Sequence, residues 1–313
     1  MPEPLSSQNA ENLRELKRTA RAVRDRRDTT ELRAVVGRIA ALEGETAWVV
    51  EQRTFCDAID AVQNQSTDPE IALKHSQHLK GSFDFALCAR LLEPAWNAAL
   101  EAIPRDADVI RRLGHELALC TYKDEERVPA HRLDEALKIL AGVREHAGGD
   151  GETMRLTGAV YKRRWEIDGD AGDLLTARAA YLEAWNRDPA EDAGYGAVNA
   201  AFLADALAAA ERERARRLGT AQKDPEPGDA FVSEARDLRL AVNKLLLARP
   251  AADYWYLVTI AEAHFGLGEY EQAGERLHAA REAGASEWQI QTTARQLAAL
   301  FAHQCAGRDP VSE

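Results

Sequence analysis

Two groups of residues have types and spacings that bear on chemistry. Lys162-Arg163-Arg164-Trp165 sets three cations beside an indole, and Tyr195 and Asn199 add a phenol and a carboxamide further along. Guanidinium groups next to an aromatic ring and an amide can hold a phosphate or carboxylate through charge-assisted and cation–π contacts. The plainer alternative pairs Arg163 and Arg164 with Glu166, Asp168 and Asp170, and has Asn199 bonding a neighbouring helix. The second group is Gln291-Thr292-Thr293-Ala294-Arg295-Gln296, a polar run that either faces the same place or meets only water. The candidate ligand or partner residues are therefore Lys162, Arg163, Arg164, Trp165, Tyr195, Asn199, Gln291, Thr292 and Arg295.

Other chemistry is expected to be absent. His115-Glu116 opens like a zincin helix, but Leu119 stands where the second histidine must converge on the metal. His75 and His78 share a helix face without a third ligand nearby in sequence, and read as solvated. Asp168-Gly169-Asp170-Ala171-Gly172-Asp173 has the acidity of a calcium loop but not its sixth-place glycine or its bidentate glutamate, and reads as an acidic connection. Phosphate loops, dinucleotide fingerprints and nucleophile elbows are missing. Cys56, Cys88, Cys120 and Cys305 form no close pair in sequence. The first three recur at a constant spacing and read as equivalent small buried packing places. The expectation is a protein that is not an enzyme and needs no cofactor and no metal.

The elements that must position these residues are helices. Leu13, Leu16, Ala20 and Val23 make one amphipathic stripe, and Leu32, Val35, Val36 and Ile39 make a second behind the cap signal Thr29-Thr30-Glu31. Trp48, Phe55, Ile59 and Val62 make a third, up to the breaker Ser66-Thr67-Asp68-Pro69. Alternating β-branched runs are missing, so the fold class is all-α. From there the sequence resembles itself at the tetratricopeptide period of about 34 residues. The clearest copy is Tyr254–Glu287, with Leu257, Ile260, Ala261 and His264 on its first helix, a turn at Gly268-Glu269-Tyr270, and Ala273, Leu277 and Ala280 on its second. Further copies carry Gly158, Tyr161, Ala177, Tyr181, Ala184 and Pro189; Leu113-Gly114 with Ala136 and Leu140; and Tyr195, Val198 and Phe202 with a partner at Ala235–Leu247. Leu92, Trp96 and Ala99 supply the second helix of another. Extra residues between the paired signatures, and a charged insertion at Glu211–Asp229, are expected to be stretched loops. The resulting domain reading is an N-terminal helical segment at 1–65, a repeat array at 66–287, and a C-terminal capping helix and tail at 288–313. Such helix pairs cannot bury their apolar faces alone, and stack into an α-solenoid with a concave inner surface.

The chain has 313 residues and a formal net charge of −12, which disfavours nucleic acid as a partner. Its most apolar stretch, Ala197–Ala210, contains Asn199 and Asp205 and falls short of the ~20 residues a bilayer crossing needs. The opening MPEPLSSQNA lacks the basic-then-apolar order of a signal peptide. A cytoplasmic protein without membrane contact is expected.

Leu156-Thr-Gly-Ala-Val-Tyr-Lys162, Ala184-Trp-Asn-Arg-Asp-Pro189, Gly194-Tyr-Gly-Ala-Val-Asn-Ala-Ala201, Tyr254-Trp255 and Ser286-Glu-Trp-Gln-Ile-Gln-Thr-Thr-Ala-Arg295 together resemble a known family. It is the tetratricopeptide-type, TRAF-binding central regulatory region of the apoptosis signal-regulating MAP3 kinases and related bacterial conflict-system proteins. The match runs over roughly residues 105–305 and includes non-repeat residues such as Asn199 and Trp288. The resemblance implies a helical regulatory scaffold that binds a protein partner, an effector or a peptide segment, and controls that effector. In the bacterial relatives it implies a place in immunity, with a nucleotide-derived ligand as the alternative. Only about a dozen residues follow Phe301, so no kinase, TIR or peptidase domain is expected there. Action in trans on a separate effector is expected, unless the chain is a fragment of a larger protein.

Overall fold

The computed structural model describes residues 7–81, 84–220, 226–248, 253–285 and 287–306. Residues 221–225 of the expected insertion, Ser286, the side chain of Trp288 and residues 307–313 of the expected tail lie outside them. Fifteen helices and no strand are present among the described residues, so the fold is all-α, as the periodicities require. In chain order they are α1 (Ser7–Asp25), α2 (Thr29–Glu43), α3 (Ala47–Gln63), α4 (Pro69–Gly81), α5 (Phe85–Glu101), α6 (Ala107–Lys123), α7 (Pro129–Ala147), α8 (Gly151–Asp168), α9 (Ala171–Arg187), the single turn α10 (Pro189–Asp192), α11 (Tyr195–Arg217), α12 (Asp229–Leu246), α13 (Tyr254–Gly266), α14 (Tyr270–Glu282) and α15 (Glu287–Cys305).

The chain divides into two compact units, Met1–Gly148 and Gly149–Glu313. The division falls inside the 66–287 span that the repeat pattern treats as one array. In the N-terminal unit each helix packs on its neighbour, with α4/α5 and α6/α7 as repeat pairs behind the three leading helices. In the C-terminal unit the pairs are α8/α9, α11/α12 and α13/α14, and α11 stacks on α9. These are the five helix pairs of a tetratricopeptide-like fold.

Close approach explains Gly114, Gly142 and Gly158. Trp96 of α5 fills a slot made by Gly114 on α6 and Gly142 on α7; a Cβ on Gly114 would strike both Trp96 and Val143. In the second unit Gly158 of α8 lies flat against the ring of Tyr181 on α9, where a Cβ would stand 2.9–3.0 Å from ring carbons. Tyr181 is buried and belongs to the unit's main apolar cluster, with Leu174, Ala177, Phe202, Leu203 and Leu207.

The structure corrects the stretched loops expected within α6/α7 and α8/α9 and shortens the one expected at Glu211–Asp229, where residues 218–220 and 226–228 stay outside any helix. The residues between paired signatures lengthen the helices instead. The α8 and α9 helices run 18 and 17 residues and are joined at Gly169-Asp170, so Ile167 and Asp168 are helical. Likewise α6 and α7 run 17 and 19 residues, and α11 runs 23, absorbing Glu211–Arg217 of the supposed insertion. The acidic stretch at 168–173 is spent on capping. Asp168 accepts from Asp170 N, and Asp170 accepts from Gly172 N and Asp173 N to start α9. Gly169 ends α8 in the left-handed region at φ 74°.

One further reading is corrected in the N-terminal unit. His75 is buried rather than solvated, and His78 is half-buried. Nδ1 of the first and Nε2 of the second lack hydrogen-bond partners among the described residues, and burial pushes both imidazoles below their ordinary pKa. The cysteine reading holds: Cys56, Cys88 and Cys120 are buried, and Cys88 and Cys120, distant in sequence, meet in the core with their sulfurs 2.6 Å apart. Burial raises the Cys120 thiol well above its usual pKa, which keeps it protonated and unreactive.

A Gly158→Leu substitution must push the Tyr181 ring out of the α8/α9 crossing. It is expected to destabilise the chain by about 1–3 kcal/mol, read as a lowered urea midpoint followed by far-UV circular dichroism.

Candidate functional site

In the C-terminal unit the first helices of the three pairs, α8, α11 and α13, share a floor. Local chemistry fixes where each begins. Asp150 and Thr153 form a reciprocal capping box that starts α8, with Thr153 N donating to Asp150 Oδ1 at 2.9 Å. Asp192 ties that helix to the next: it accepts from Gly196 N at 2.8 Å and from Arg155 Nη1 at 3.3 Å, while Arg155 also reaches Glu152 at 2.7 Å. Burial raises the Asp192 carboxyl pKa, against the pull of the Gly196 N–H and of Arg155. On the far side, buried Arg239 of α12 pairs with buried Asp205 of α11 and donates to the Gly266 carbonyl at the end of α13. These polar bolts set the spacing of the three helices.

The floor then carries a linked set of side chains. Lys162 Nζ donates to Asn199 Oδ1 at 3.3 Å and stands 4.2 Å from the centre of the Phe202 ring. Asn199 Nδ2 donates in turn to Tyr195 O at 3.0 Å. Tyr195, 39% exposed, meets the Tyr181 ring edge-on at 6.1 Å. From α13 comes Glu262, half-buried. Burial works on all three titratable groups. It lowers the Lys162 ammonium pKa, pushes the Tyr195 phenol up to about 12, and pushes the Glu262 carboxyl up to about 7 against the pull of Lys162 and Arg239.

Across this floor lies α15. Its polar run presents one stripe downward. Thr293 Oγ1 and the Tyr254 hydroxyl are 2.7 Å apart, Gln296 Oε1 accepts from Lys162 Nζ at 2.7 Å, and Leu300 enters the Phe202 cluster. His303 lies between Trp165 and Phe202, with ring centres at 5.8 and 5.3 Å. Gln304 Nε2 donates to Gly266 O at 2.8 Å. The helix therefore closes the C-terminal unit by covering its inner helices.

The structure brings together Lys162, Trp165, Tyr195 and Asn199 of the sequence candidates. The two arginines are held elsewhere: Arg163 Nη1 pairs with Glu166 at 3.0 Å, and Arg164 Nε with Asp173 of α9 at 3.1 Å. On α15 the candidates Gln291, Thr292 and Arg295 lie on the exposed side. Thr293 and Gln296, in the same polar run, are the residues that face the floor, because each step along a helix turns the side chain by about 100°. Glu262 and Phe202 were missed. Glu262 left one signal, a lone carboxylate in Tyr254–Gly266, a helix with no other acidic residue and no lysine or arginine. Among the described residues no group of three or more His, Cys, Asp or Glu side chains is arranged to hold a metal ion. None of the described helices is long and apolar enough to cross a membrane.

A family model described as Tetratricopeptide Repeats-Sensor matches residues 84–204, which span α5 to the first half of α11 and include Lys162, Trp165, Tyr195 and Asn199. No curated protein matches the chain. The chain thus carries tetratricopeptide-type repeats, elements that in general bind rather than catalyse.

Because the Glu262 pKa is raised from its ordinary 4.5 to about 7, the folded chain binds a proton that the unfolded chain has lost. That contribution to stability is present at pH 4.5 and falls away as pH rises to about 7. The melting-temperature difference between Glu262→Gln and the parent is therefore expected to be more favourable to the variant at pH 8 than at pH 5.5, measured by differential scanning calorimetry.

Proposed function

We propose that this chain is a non-catalytic, cytoplasmic regulatory scaffold whose C-terminal unit holds a segment of a partner protein on the α8–α11–α13 floor and thereby controls an effector. One observation carries the reading: the floor already receives a helix, α15, through side chains on all three first helices. A surface that mixes aromatic rings with a few fixed polar groups and takes a helix lengthwise is built as a helix-in-groove site. Trp165 and Tyr195 supply aromatic anchor area along it.

The alternative, a sensor of a nucleotide-derived anion, draws on Lys162, Tyr195 and Asn199 together with the sensor description of the matching family. The local charges favour the first reading. Lys162 is answered by Glu262, and Arg163 and Arg164 are neutralised by carboxylates of their own. A multiply charged phosphate needs uncompensated donors.

Two measurements on the full chain separate them. Affinity capture with the immobilised protein, against the products of neighbouring genes at low and high salt, is expected to retain one partner. Titration calorimetry against a nucleotide panel is expected to be silent. Heat from a nucleotide that is lost in Lys162→Met would instead establish the sensor reading. Capture of nothing under any salt condition would remove the scaffold reading.

A further inference from the structure

On α15 the half-buried Gln296 reaches side chains of both α8 and α13, and its surroundings suit its functional group. Gln296 Oε1 accepts from the Lys162 ammonium at 2.7 Å, and the same carboxamide is hydrogen-bonded to the Glu262 carboxylate. A carboxylate only accepts, so the amide nitrogen is the donor there. Among the described contacts, Lys162 and Glu262 are not bridged directly; the planar amide stands between cation and anion and satisfies both. A carboxylate in that place would face the Glu262 carboxyl, an ammonium would face Lys162, and an aliphatic chain would remove a hydrogen bond from each in a half-buried setting. A neutral group with one donor and one acceptor side by side answers both.

The neighbours of Gln296 extend this into a helical register. Thr293, three residues earlier, meets the Tyr254 hydroxyl; Leu300, four later, enters the apolar cluster; His303, seven later, lies between Trp165 and Phe202. The four positions form one face of a helix. The hold is light. Thr293 and Leu300 are the α15 side chains buried among the described residues, whereas Gln291, Thr292, Ala294, Arg295, Ala298 and Phe301 are exposed. Polar bonds such as these exchange for water or for another helix at small net cost, so the surface is not locked by apolar burial.

We propose that Lys162 and Glu262 form a socket for a glutamine side chain carried on a helix, filled in this structure by Gln296 of the chain's own α15, and that a partner helix with glutamine in the same register displaces α15 to bind. This rests on the scaffold reading and gives its partner a chemistry: an amphipathic helix with hydroxyl, glutamine, leucine and an aromatic or imidazole at successive turns of one face. The partner and α15 compete for one place, so the chain holds itself closed until that helix arrives.

The test uses the full chain and a fluorescein-labelled peptide with the sequence of residues 287–306, followed by fluorescence anisotropy. Leu300→Ala in the chain loosens α15 without touching the socket. This variant is expected to bind the peptide at least about tenfold more tightly than the parent chain does, because its socket is freed. Peptides carrying Gln296→Glu or Gln296→Leu are expected to lose about tenfold, the scale of one or two hydrogen bonds. Lys162→Met added to the Leu300→Ala chain should erase the preference for glutamine over leucine. Should Leu300→Ala fail to fold, as read by circular dichroism, a Thr293→Ala plus Gln296→Ala chain takes its place. Equal binding of the glutamine, glutamate and leucine peptides overturns the socket. So does the absence of peptide binding when hydrogen exchange shows residues 287–306 released. Selective peptide binding together with failure to capture any partner would overturn the scaffold reading and leave the socket standing. A captured partner with no glutamine preference would do the reverse.

Discussion

Everything in the C-terminal unit depends on how closely α8 and α9 can approach, and that is decided where Gly158 meets the face of Tyr181. Because no side chain intervenes, the tyrosine ring can lie in the crossing and still reach Tyr195 on the next pair. Phe202, Leu203 and Leu207 pack into the same cluster, which seats α11 on α9. The N-terminal unit solves the same problem with Trp96 between two glycines. A helix pair that could not close at these points would leave its aromatic residues exposed and the floor without a fixed spacing.

Much of this was legible in the sequence because it follows from periodicity. The Gly158–Ala177–Tyr181 and Leu257–Ala261–Ala273–Ala280 patterns state which residues must be small and which large, and the structure uses them so. Helix length was not legible. Extra residues between the two signatures of a pair are compatible with a long loop or with longer helices, and the repeat spacing does not distinguish them. Capping by Asp170 and the left-handed Gly169 decide for longer helices at α8/α9. Contacts between distant segments were equally hidden. Cys88 and Cys120 meet because α5 packs on α6, which the sequence separation does not announce.

The candidate site divides along the same line. Lys162, Tyr195 and Asn199 sit on helices whose inner faces the repeat register already identifies, so their convergence could be expected. Arg163 and Arg164 follow Lys162 directly, yet one and two residues rotate a side chain off the inner face and into reach of Glu166 and Asp173. The contribution of α15 could not be phased from its composition, since polar residues occupy both of its sides. Which of them meet the floor follows only once Leu300 is seen to enter the core.

The length of α11 has one more effect. Its extension carries Arg212 to the end of α15, where the guanidinium donates to the carbonyls of His303 and Ala306 at 3.2 and 3.0 Å. Those carbonyls are the electronegative terminus of α15, which a cation stabilises. A helix laid on the floor in the reverse sense would bring its own electropositive amino end against the same arginine. The surface therefore distinguishes head from tail and favours one direction for a helix laid on it.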